Sequence, residues 1–375
     1  MGEMKAKPAV PLPTLGETND LGKPWKWEEG GCTVVRSAPW SPPGCHPVGC
    51  GVKLYVDENG KLVKVEGDEN QQITQGRLCV RCLTLKDFVY NPSRIIHPMK
   101  RDPKDRGKDA WQRITWDEAY DLIAEKFLAY KEEFGAQSVL FFKGTGRDIA
   151  PWISHLAWSF GSPNVVFALS GCACFVPRIA SSMCTSGSFW VGDYSQQFTK
   201  RYDDPRWKTP ECIILWGNNP IVSNSDGLYG HWVVDCMKRG SKIISVDPKM
   251  TWLGTKAEIF LPLRPGTDAA LAMGILHVMI EEEIYDKEFV DCWCYGFDQL
   301  KEACEPYTAE KTAEICWVTP DKIVEAARMI ANADGMIMQW GVSVDMSREA
   351  VPACQALSAI FQITGNVDVP GGMIA

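Results

Sequence analysis

Short apolar segments alternate with helical segments along most of this chain. Beyond residue 210 these segments are apolar at consecutive positions rather than at every second one, as in Cys212–Gly217 and Met336–Trp340. Strands of that kind are buried on both faces, which is typical of a parallel sheet covered by helices. The pattern predicts an α/β fold with parallel, Rossmann-like sheets flanked by helices. Further strands are predicted at Ser138–Phe142, Lys242–Asp247 and Ile259–Leu263.

A long helix is predicted to begin at Thr115 and to end at Gly135. Thr115 and Glu118 have the spacing of a capping box, in which the two side chains satisfy free amides of the first turn. Its apolar residues recur at helical spacing: Leu122, Ile123, Phe127 and Leu128. Other helices are predicted before Gly240, after Asp268 and over 321–331.

The N-terminal part follows a different pattern, because Val52–Glu66 alternates apolar and polar residues around a Glu58-Asn59-Gly60 turn. This pattern predicts a β-hairpin. Two cysteine pairs flank it, and the hairpin returns the second pair towards the first. Thiolates at such short spacings converge readily on one soft metal centre. The four candidate ligands are Cys45, Cys50, Cys79 and Cys82.

The composition and net charge of the chain exclude some classes of function. The 375 residues carry a net charge of −8, which argues against nucleic-acid binding. The longest apolar run, Ala269–Ile280, is too short to span a bilayer. No signal segment opens the chain, so we expect a cytoplasmic protein, or an exported one if a leader is missing from the given sequence. Of the fifteen cysteines, five are predicted to be small buried residues: Cys212, Cys236, Cys304, Cys316 and Cys354.

Loops at strand ends carry candidate cofactor ligands. In parallel sheets ligands bind at the carboxyl ends of strands, where glycine admits a phosphate and helix N-termini offer free amides. Three such loops on successive strands favour a nucleotide-like cofactor, although each loop alone is more often an ordinary turn. No dinucleotide or P-loop fingerprint occurs. The candidate residues are Lys143, Gly144, Gly217, Asn218, Asn219, Asp247, Arg264, Gly266, Thr267 and Asp268.

These motifs together carry a family resemblance. Residues 49–67 and 75–81 resemble the iron–sulfur module of molybdopterin oxidoreductases of the dimethyl sulfoxide reductase family. Further segments are similar to family signatures in the same order: Trp111–Ala119, Leu215–Pro220, Asp247-Pro248 and Leu263–Leu271. The residues around the cysteines look closest to those of catechol dehydroxylase-like members. The resemblance implies a [4Fe-4S] cluster and a bis(molybdopterin guanine dinucleotide) cofactor with molybdenum or tungsten.

Within the resemblance, Cys45, Cys50 and Cys79 match cluster ligands. Arg81 matches a basic residue between cluster and pterin, where a cation would ease electron passage. The sequence departs from the family pattern, because the first pair has one extra intervening residue and no cysteine stands just before Cys45. Cys82 is our preferred fourth ligand, since a C-x2-C pair reaches one cluster easily. Its alternatives are Cys32 and His46, and the competing interpretation of Cys82 is a spare thiol.

The metal's protein ligand is expected early in the sheet domain, and Cys184 is the preferred candidate because its distance from the Trp216-Gly217 strand end resembles that of family members with a cysteine ligand. A soft thiolate suits molybdenum or tungsten. The competing ligands are Ser181, Ser182, Ser188, Cys172 and Cys174. For acid–base work, three residues lie in segments expected near the cavity, although each is more often structural: His155, His231 and Asp193.

The resulting hypothesis is an oxidoreductase that receives electrons from an iron–sulfur subunit and removes a hydroxyl or oxygen from a small, catechol-like organic substrate. The alternatives are a hydratase or hydroxyl transferase without net redox change, a non-catalytic zinc module, and an inert remnant, because the chain ends within a loop. The expected organisation is an arm (1–31), the iron–sulfur module (32–98), a first α/β part (99–178), a molybdopterin-binding domain (179–335) and a return to the α/β domain (336–375).

Overall fold

A computed structural model describes residues 25–38, 50–71, 74–144, 150–167, 176–195, 206–222 and 228–375. The described residues up to Pro92 form one compact unit, and those from Ser93 onwards form a second. Four of the candidate ligands named above lie outside the described residues: Cys45, His46, Cys172 and Cys174.

The first unit is built on a four-stranded antiparallel sheet in the order β1-β2-β3-β4. Its strands are β1 (Lys26–Glu29), β2 (Cys32–Ser37), β3 (Val52–Val56) and β4 (Leu62–Gly67). The predicted hairpin is confirmed, since β3 and β4 pair across the expected turn. Asp57 Oδ1 accepts the amides of Asn59 and Lys61 there, and Gly60 takes the positive φ that the turn requires.

Strand β1 lies inside the segment that was expected to be an arm, so that expectation is wrong for residues 26–29. Gly30 and Gly31 both have positive φ, which lets the chain reverse tightly and pair β1 with β2. The polar composition of the segment concealed this edge strand. Two short helices close the unit, α1 (Val80–Leu83) and α2 (Leu85–Val89).

The second unit contains a four-stranded sheet in the order β12-β11-β10-β13, in which every pairing is parallel. The strands are β10 (Cys212–Trp216), β11 (Lys242–Val246), β12 (Ile259–Leu261) and β13 (Met336–Trp340). All five residues of β10 are buried, as consecutive apolar positions predicted. The predicted strands are confirmed here to within two residues. The chain is therefore mixed α/β, with parallel and antiparallel sheets.

Helices accompany these strands through the second unit. They are α3 (Trp116–Phe134), α4 (Ala150–Phe160), α5 (Val176–Ser186), α6 (Leu228–Lys238), α7 (Trp252–Lys256), α8 (Asp268–Glu281), α9 (Lys287–Trp293), α10 (Phe297–Cys304), α11 (Ala309–Cys316), α12 (Pro320–Ala331), α13 (Val342–Asp345) and α14 (Ala350–Ile363). Shorter strands complete the unit: β5 (Met99–Lys100), β6 (Gln112–Arg113), β7 (Phe141–Lys143), β8 (Val165–Phe167), β9 (Val191–Gly192) and β14 (Met373–Ile374). Among the described residues, no helix combines the length and apolarity needed to cross a membrane.

The buried strand predicted at Ser138–Phe142 is wrong in extent and in burial. A 3-10 turn occupies Ala136–Ser138, and β7 pairs only with β8 in a separate two-stranded parallel sheet. Phe141 packs against the rings of Phe127 and Phe160, whereas Phe142 is 64% exposed. One face of this small sheet thus has no covering layer among the described residues.

Helix α3 begins and ends where the sequence predicted. Thr115 Oγ1 accepts the amide of Glu118, and Gly135 follows the last helical residue with a positive φ. None of its residues is buried, however. Leu122, Ile123 and Leu128 are all exposed, so the helical periodicity was right but does not mark a face buried within the described residues.

The central strand gives a test of the fold. Ile214→Ala should lower the free energy of unfolding by about 2–5 kcal/mol, because it removes buried methyl groups and leaves a cavity between the sheet and its helices. Urea denaturation of both proteins would measure the difference. Val222→Ala is the control, because Val222 is 76% exposed and should change stability little. Equal effects of the two substitutions would contradict the placement of β10.

Candidate functional site

The base of the β3–β4 hairpin brings the distant cysteines together. The amide of Asp68 donates to Gly51 O, and the amide of Gly76 donates to Asp68 O. A Cβ on Gly67 would lie 1.9 Å from Gly76 O, so only glycine permits this close approach of the two backbones. The returning segment therefore runs beside the residues that follow Cys50.

An ion pair fixes the same base. Arg36 Nε lies 3.2 Å from Asp68 Oδ2, and both side chains are more than nine-tenths buried. Thr74 adds a side-chain contact, since its hydroxyl accepts the amide of Gly51. Strand β2 is thereby tied to the turn that delivers Cys79 and Cys82.

Three thiols meet at this point. Cys50 and Cys82 are buried and Cys79 is half-buried. The pKa of the Cys82 thiol is raised above its ordinary value, first by its hydrogen bond with Cys50, then by burial and by the charge of Cys79. Within the described residues no group of three His, Cys, Asp or Glu side chains is arranged to hold a metal ion. The described part therefore contributes neighbouring thiols, and the remaining candidate, Cys45, lies outside it.

The geometry weighs against Cys32 as a fourth ligand. In the β2–β3 register, Ser37 pairs with Val52 near Cys50, whereas Thr33 pairs with Val56 near the hairpin turn. Cys32 stands five residues from Ser37 along the strand, which is a distance of about 17 Å. It lies at the opposite end of the hairpin from the three thiols.

Arg81 lies between the two cysteines of the second pair and has an unusual environment. Its Nη1 atom is shielded from solvent and has no hydrogen-bond partner among the described residues. A buried guanidinium nitrogen without an acceptor is costly. Such an atom fits a site in which a further group accepts its hydrogen bond.

The carboxyl edge of the parallel sheet forms a second candidate site. Strands β10 and β13 are in register there, and each ends in Trp-Gly, at Trp216-Gly217 and Trp340-Gly341. The amide of Gly341 donates to Trp216 O, and Ser343 Oγ donates to Gly217 O. A Cβ on Gly341 would lie 2.0 Å from Gly217 O, so the two loops touch through their backbones.

Asp268 opens helix α8 at this edge. Its carboxylate accepts the indole N–H of Trp216 at 2.8 Å, and burial raises the pKa of Asp268 above its usual value, with the Trp216 bond opposing the shift. Thr267 precedes it without capping the helix through its side chain. Thr267 Oγ1 instead donates to Arg264 O, and the Arg264 guanidinium lies 5.2 Å from the centroid of Trp317. The first amides of α8 are therefore left without a side-chain cap.

One of the three expected cofactor loops follows a strand that does not belong to the four-stranded sheet. Asp247 directly follows β11 at the same edge, where its carboxylate accepts the amide of Lys249. Lys143 and Gly144, in contrast, follow β7, which belongs to the separate two-stranded sheet. The expectation of three loops on successive strands of one sheet is therefore wrong for this pair. Lys143 Nζ donates to Ser154 Oγ in α4.

The candidate metal ligands around α5 differ in accessibility. Cys184 is exposed and lies in the last turn of the helix. Ser181 is buried, and its hydroxyl lies within hydrogen-bond distance of Pro177 O and Val351 O, while Ser182 is also buried. The choice of Cys184 stays a prediction.

Of the acid–base candidates, Asp193 has a structural environment. It is buried, Oδ1 accepts the amide of Ser195, and Oδ2 accepts the amide of Gly371. These bonds fasten the β9–β14 pair, so the suggestion that Asp193 transfers protons is not supported by its contacts. His155 is exposed beside Trp158, and His231 is also exposed.

Sequence reasoning missed two charged residues near the sheet edge. Asp345, at the end of α13, has a fully buried side chain that is paired with Arg178 in the first turn of α5. The repeated Trp-Gly at the ends of β10 and β13 was a signal for this edge. It would have directed attention to Gly341, Ser343 and Asp345.

Clustered thiols on a small β module and a parallel sheet with glycine loops at its carboxyl edge define a protein with a soft-metal site and a cofactor-binding α/β unit. Comparison with known families agrees. Residues 94–375 match the molybdopterin oxidoreductase family, and residues 43–91 match the molybdopterin oxidoreductase Fe4S4 domain. The chain belongs to the molybdopterin oxidoreductase family, as the resemblance in its sequence predicted.

Individual relatives have several activities. Acetylene hydratase of Syntrophotalea acetylenica is 31% identical over 85% of this chain and 42% of its own length. Dopamine dehydroxylase of Eggerthella lenta is 33% identical over 70% of this chain and 24% of its own. The solved acetylene hydratase from Pelobacter acetylenicus has a TM-score of 0.73 at 28% identity, covering 90% of this chain and 44% of that one.

The chain therefore spans less than half the length of these relatives. Family membership assigns it a [4Fe-4S] cluster and a molybdopterin cofactor with molybdenum or tungsten. The residues present fit the cluster, since Cys82 contacts both Cys50 and Cys79, and a buried Arg81 nitrogen in the same Fe4S4 domain has no hydrogen-bond partner among the described residues. The four-Cys segment 45–82 falls wholly within the matched Fe4S4 residues.

Cysteine accessibility gives a test of these placements. Iodoacetamide at neutral pH should label Cys292 in the folded protein, because this thiol is exposed. Cys212 and Cys236 should stay unlabelled, since burial shields them and raises the pKa of each to about 12. Peptide mass spectrometry would read out each site, and labelling in urea is the control. Equal labelling of Cys212 and Cys292 in the native protein would contradict the fold.

Proposed function

We propose that this chain is the cluster-bearing part of a molybdopterin-dependent oxidoreductase that removes a hydroxyl or oxygen from a small organic, catechol-like substrate. The contacts of Cys82 with Cys50 and Cys79 at the hairpin base carry the cluster part of the proposal. Overall, a dehydroxylation consumes two electrons and two protons, replaces a C–OH bond by C–H and releases water. When bound, the molybdopterin centre supplies this two-electron chemistry.

Cluster binding is proposed for Cys45, Cys50, Cys79 and Cys82. Hairpin geometry favours Cys82 over Cys32 as the fourth ligand, because Cys82 contacts the other thiols and Cys32 lies at the far end of its strand. Burial of Cys50 and Cys82 excludes water from this side of the site. Leu54, Leu62, Leu78 and Leu85 pack around the same small core.

Arg81 is proposed to ease electron passage at the cluster. Arg81 lies between two candidate ligands in the sequence, and its Nη1 atom is buried without an acceptor among the described residues. A fixed positive charge stabilises the added electron electrostatically. The electron donor is proposed to be an iron–sulfur subunit. Among the relatives, the thiosulfate reductase protein of Salmonella typhimurium is named as a molybdopterin-containing subunit.

The pterin nucleotide, in the bis(molybdopterin guanine dinucleotide) form, is proposed to bind a Rossmann-like sheet edge. Gly217, Asn218 and Asn219 would hold phosphate or sugar groups. Gly266, Thr267 and Asp268 would contribute at the start of α8, where the first amides of the helix have no side-chain cap. Asp247 would accept from a ribose or a purine, and Arg264 would balance phosphate charge. Lys143 and Gly144 stay proposed ligands from the neighbouring two-stranded sheet.

The metal's protein ligand is proposed to be Cys184, whose thiol is exposed in the last turn of α5. A soft thiolate suits molybdenum or tungsten. Cys172 and Cys174 remain competing candidates outside the described residues.

A second function, hydration without net redox change, is favoured by one observation. Acetylene hydratase matches this chain both in sequence and in fold. Anaerobic assays would separate the two functions: a reductase consumes dithionite-reduced viologen in proportion to catechol, whereas a hydratase adds water without net viologen oxidation. Viologen-independent hydration with no reductive activity would overturn the leading proposal.

Ligand assignment is tested by iron content. Cys50→Ser, Cys79→Ser and Cys82→Ser should each lose most of the iron after anaerobic reconstitution, because each removes a proposed thiolate. Cys32→Ser is the matched control and should keep the wild-type iron content. If Cys32→Ser lost iron while Cys82→Ser kept it, the proposed fourth ligand would be incorrect.

The proposed role of Arg81 predicts that its substitution slows electron transfer without reducing the iron content. Arg81→Met should keep the iron content but slow viologen-linked reduction by roughly tenfold, an effect of about 1.4 kcal/mol. Arg81→Lys should recover much of the rate, because it restores the positive charge. A wild-type rate in Arg81→Met would remove Arg81 from the electron path.

The metal ligand is tested by molybdenum retention. We expect Cys184→Ser to lose most of its molybdenum, because it removes the proposed thiolate, whereas Cys292→Ser, at another exposed cysteine, should keep it. Elemental analysis of both proteins, purified anaerobically from the same host, would measure this. Wild-type molybdenum content in Cys184→Ser would remove Cys184 as the proposed ligand.

A further inference from the structure

A charged pair beside the sheet edge has no part in the proposed ligand sets. Asp345 at the end of α13 has a fully buried side chain. Its Oδ1 accepts the backbone amide of Arg178 at 3.0 Å, and its Oδ2 accepts Arg178 Nη2. One carboxylate thus holds both the main chain and the side chain of the first turn of α5.

Aromatic and sulfur groups enclose this pair. The Arg178 guanidinium lies 5.1 Å from the ring centroid of Trp340, the last residue of β13. Cys354 Sγ lies 4.0 Å from Asp345 Oδ1. Arg178 Nε is shielded from solvent and has no hydrogen-bond partner among the described residues.

The pair also continues into the predicted cofactor loop. Asp345 ends a helix that begins directly after Gly341. Gly341 and Ser343 bond to Trp216 O and Gly217 O, so the same short segment contacts α5 at one end and the Gly217 loop at the other. A continuous series of bonds joins the helix that carries Cys184 to the loop proposed to hold the pterin.

Stability alone gives a weak reason for such an arrangement. Removing two charges from water is costly, and well-packed apolar residues often replace a buried ion pair without loss of stability. A buried pair that fixes the relative position of two ligand-bearing segments has a reason to be ionic, because its bonds are directional. Arg178 Nε adds to the cost of the pair, because it is buried without a hydrogen-bond partner among the described residues.

We infer that Arg178 and Asp345 are positioning residues, which hold α5 and the Gly217 loop in the one relative geometry that retains the molybdenum cofactor. This inference rests on the proposed function. Neither residue is assigned to contact the cofactor. They act through α5 and through the segment that follows β13.

The test replaces the pair by apolar residues of similar size, Arg178→Met with Asp345→Leu. The double variant should unfold at the wild-type urea midpoint but retain about 10-fold less molybdenum and pterin per folded chain, because outer-shell changes commonly cost 10–100-fold in metal affinity. Pterin is measured by its fluorescence after acid release. Arg328→Met with Glu282→Leu is the matched control, since that bidentate pair is exposed and belongs to neither α5 nor the segment after β13.

A second variant tests the inference if the double variant does not fold. Asp345→Asn keeps the side-chain volume and an acceptor for the Arg178 amide, but it removes the charge, and it should also lose molybdenum. Wild-type retention in either folded variant would overturn the inference. A wild-type chain without molybdenum or pterin would refute the proposed function and this inference together, whereas loss confined to the variants supports both.

Discussion

The whole account depends on the hairpin base where Cys50, Cys79 and Cys82 meet. Cys50 and Cys79 are about thirty positions apart in the sequence, and the β3–β4 hairpin between them returns the chain to its starting point. Gly67 and Gly76 approach so closely that a side chain at Gly67 would collide with the opposing backbone. Asp68 closes the turn with two backbone bonds and an ion pair to Arg36. These local contacts bring Cys50 beside the second cysteine pair.

At the carboxyl edge of the parallel sheet, two loops also approach each other closely through their backbones. Trp216 and Trp340 end neighbouring parallel strands in register, and each is followed by glycine. The resulting contact between the Gly217 and Gly341 loops places Asp268, Asp247 and Ser343 along one edge. In parallel sheets this is the edge at which ligands bind. The two units thus each contribute a site formed by backbone proximity, which side-chain patterns reveal only indirectly.

The sequence predicted much of this, for identifiable reasons. Consecutive apolar residues at 212–216 and 336–340 marked buried parallel strands, and the Glu58-Asn59-Gly60 turn marked the hairpin. Prediction from the sequence was wrong where the burial of a segment depends on elements that are distant in the chain. The 138–142 segment is apolar, but only Phe141 packs inward, and β7 belongs to a small separate sheet. The Arg178–Asp345 pair spans 167 positions, a separation that no local motif signals. Strand β1 was hidden by its polar composition.

The most direct test of the central claim is the iron and acid-labile sulfide content of the anaerobically reconstituted chain. If the thiols at the hairpin base and Cys45 hold one cluster, the protein should contain about four irons and four sulfides per chain. It should also be brown and bleach on addition of dithionite. A colourless protein with stoichiometric zinc and no iron would contradict the account.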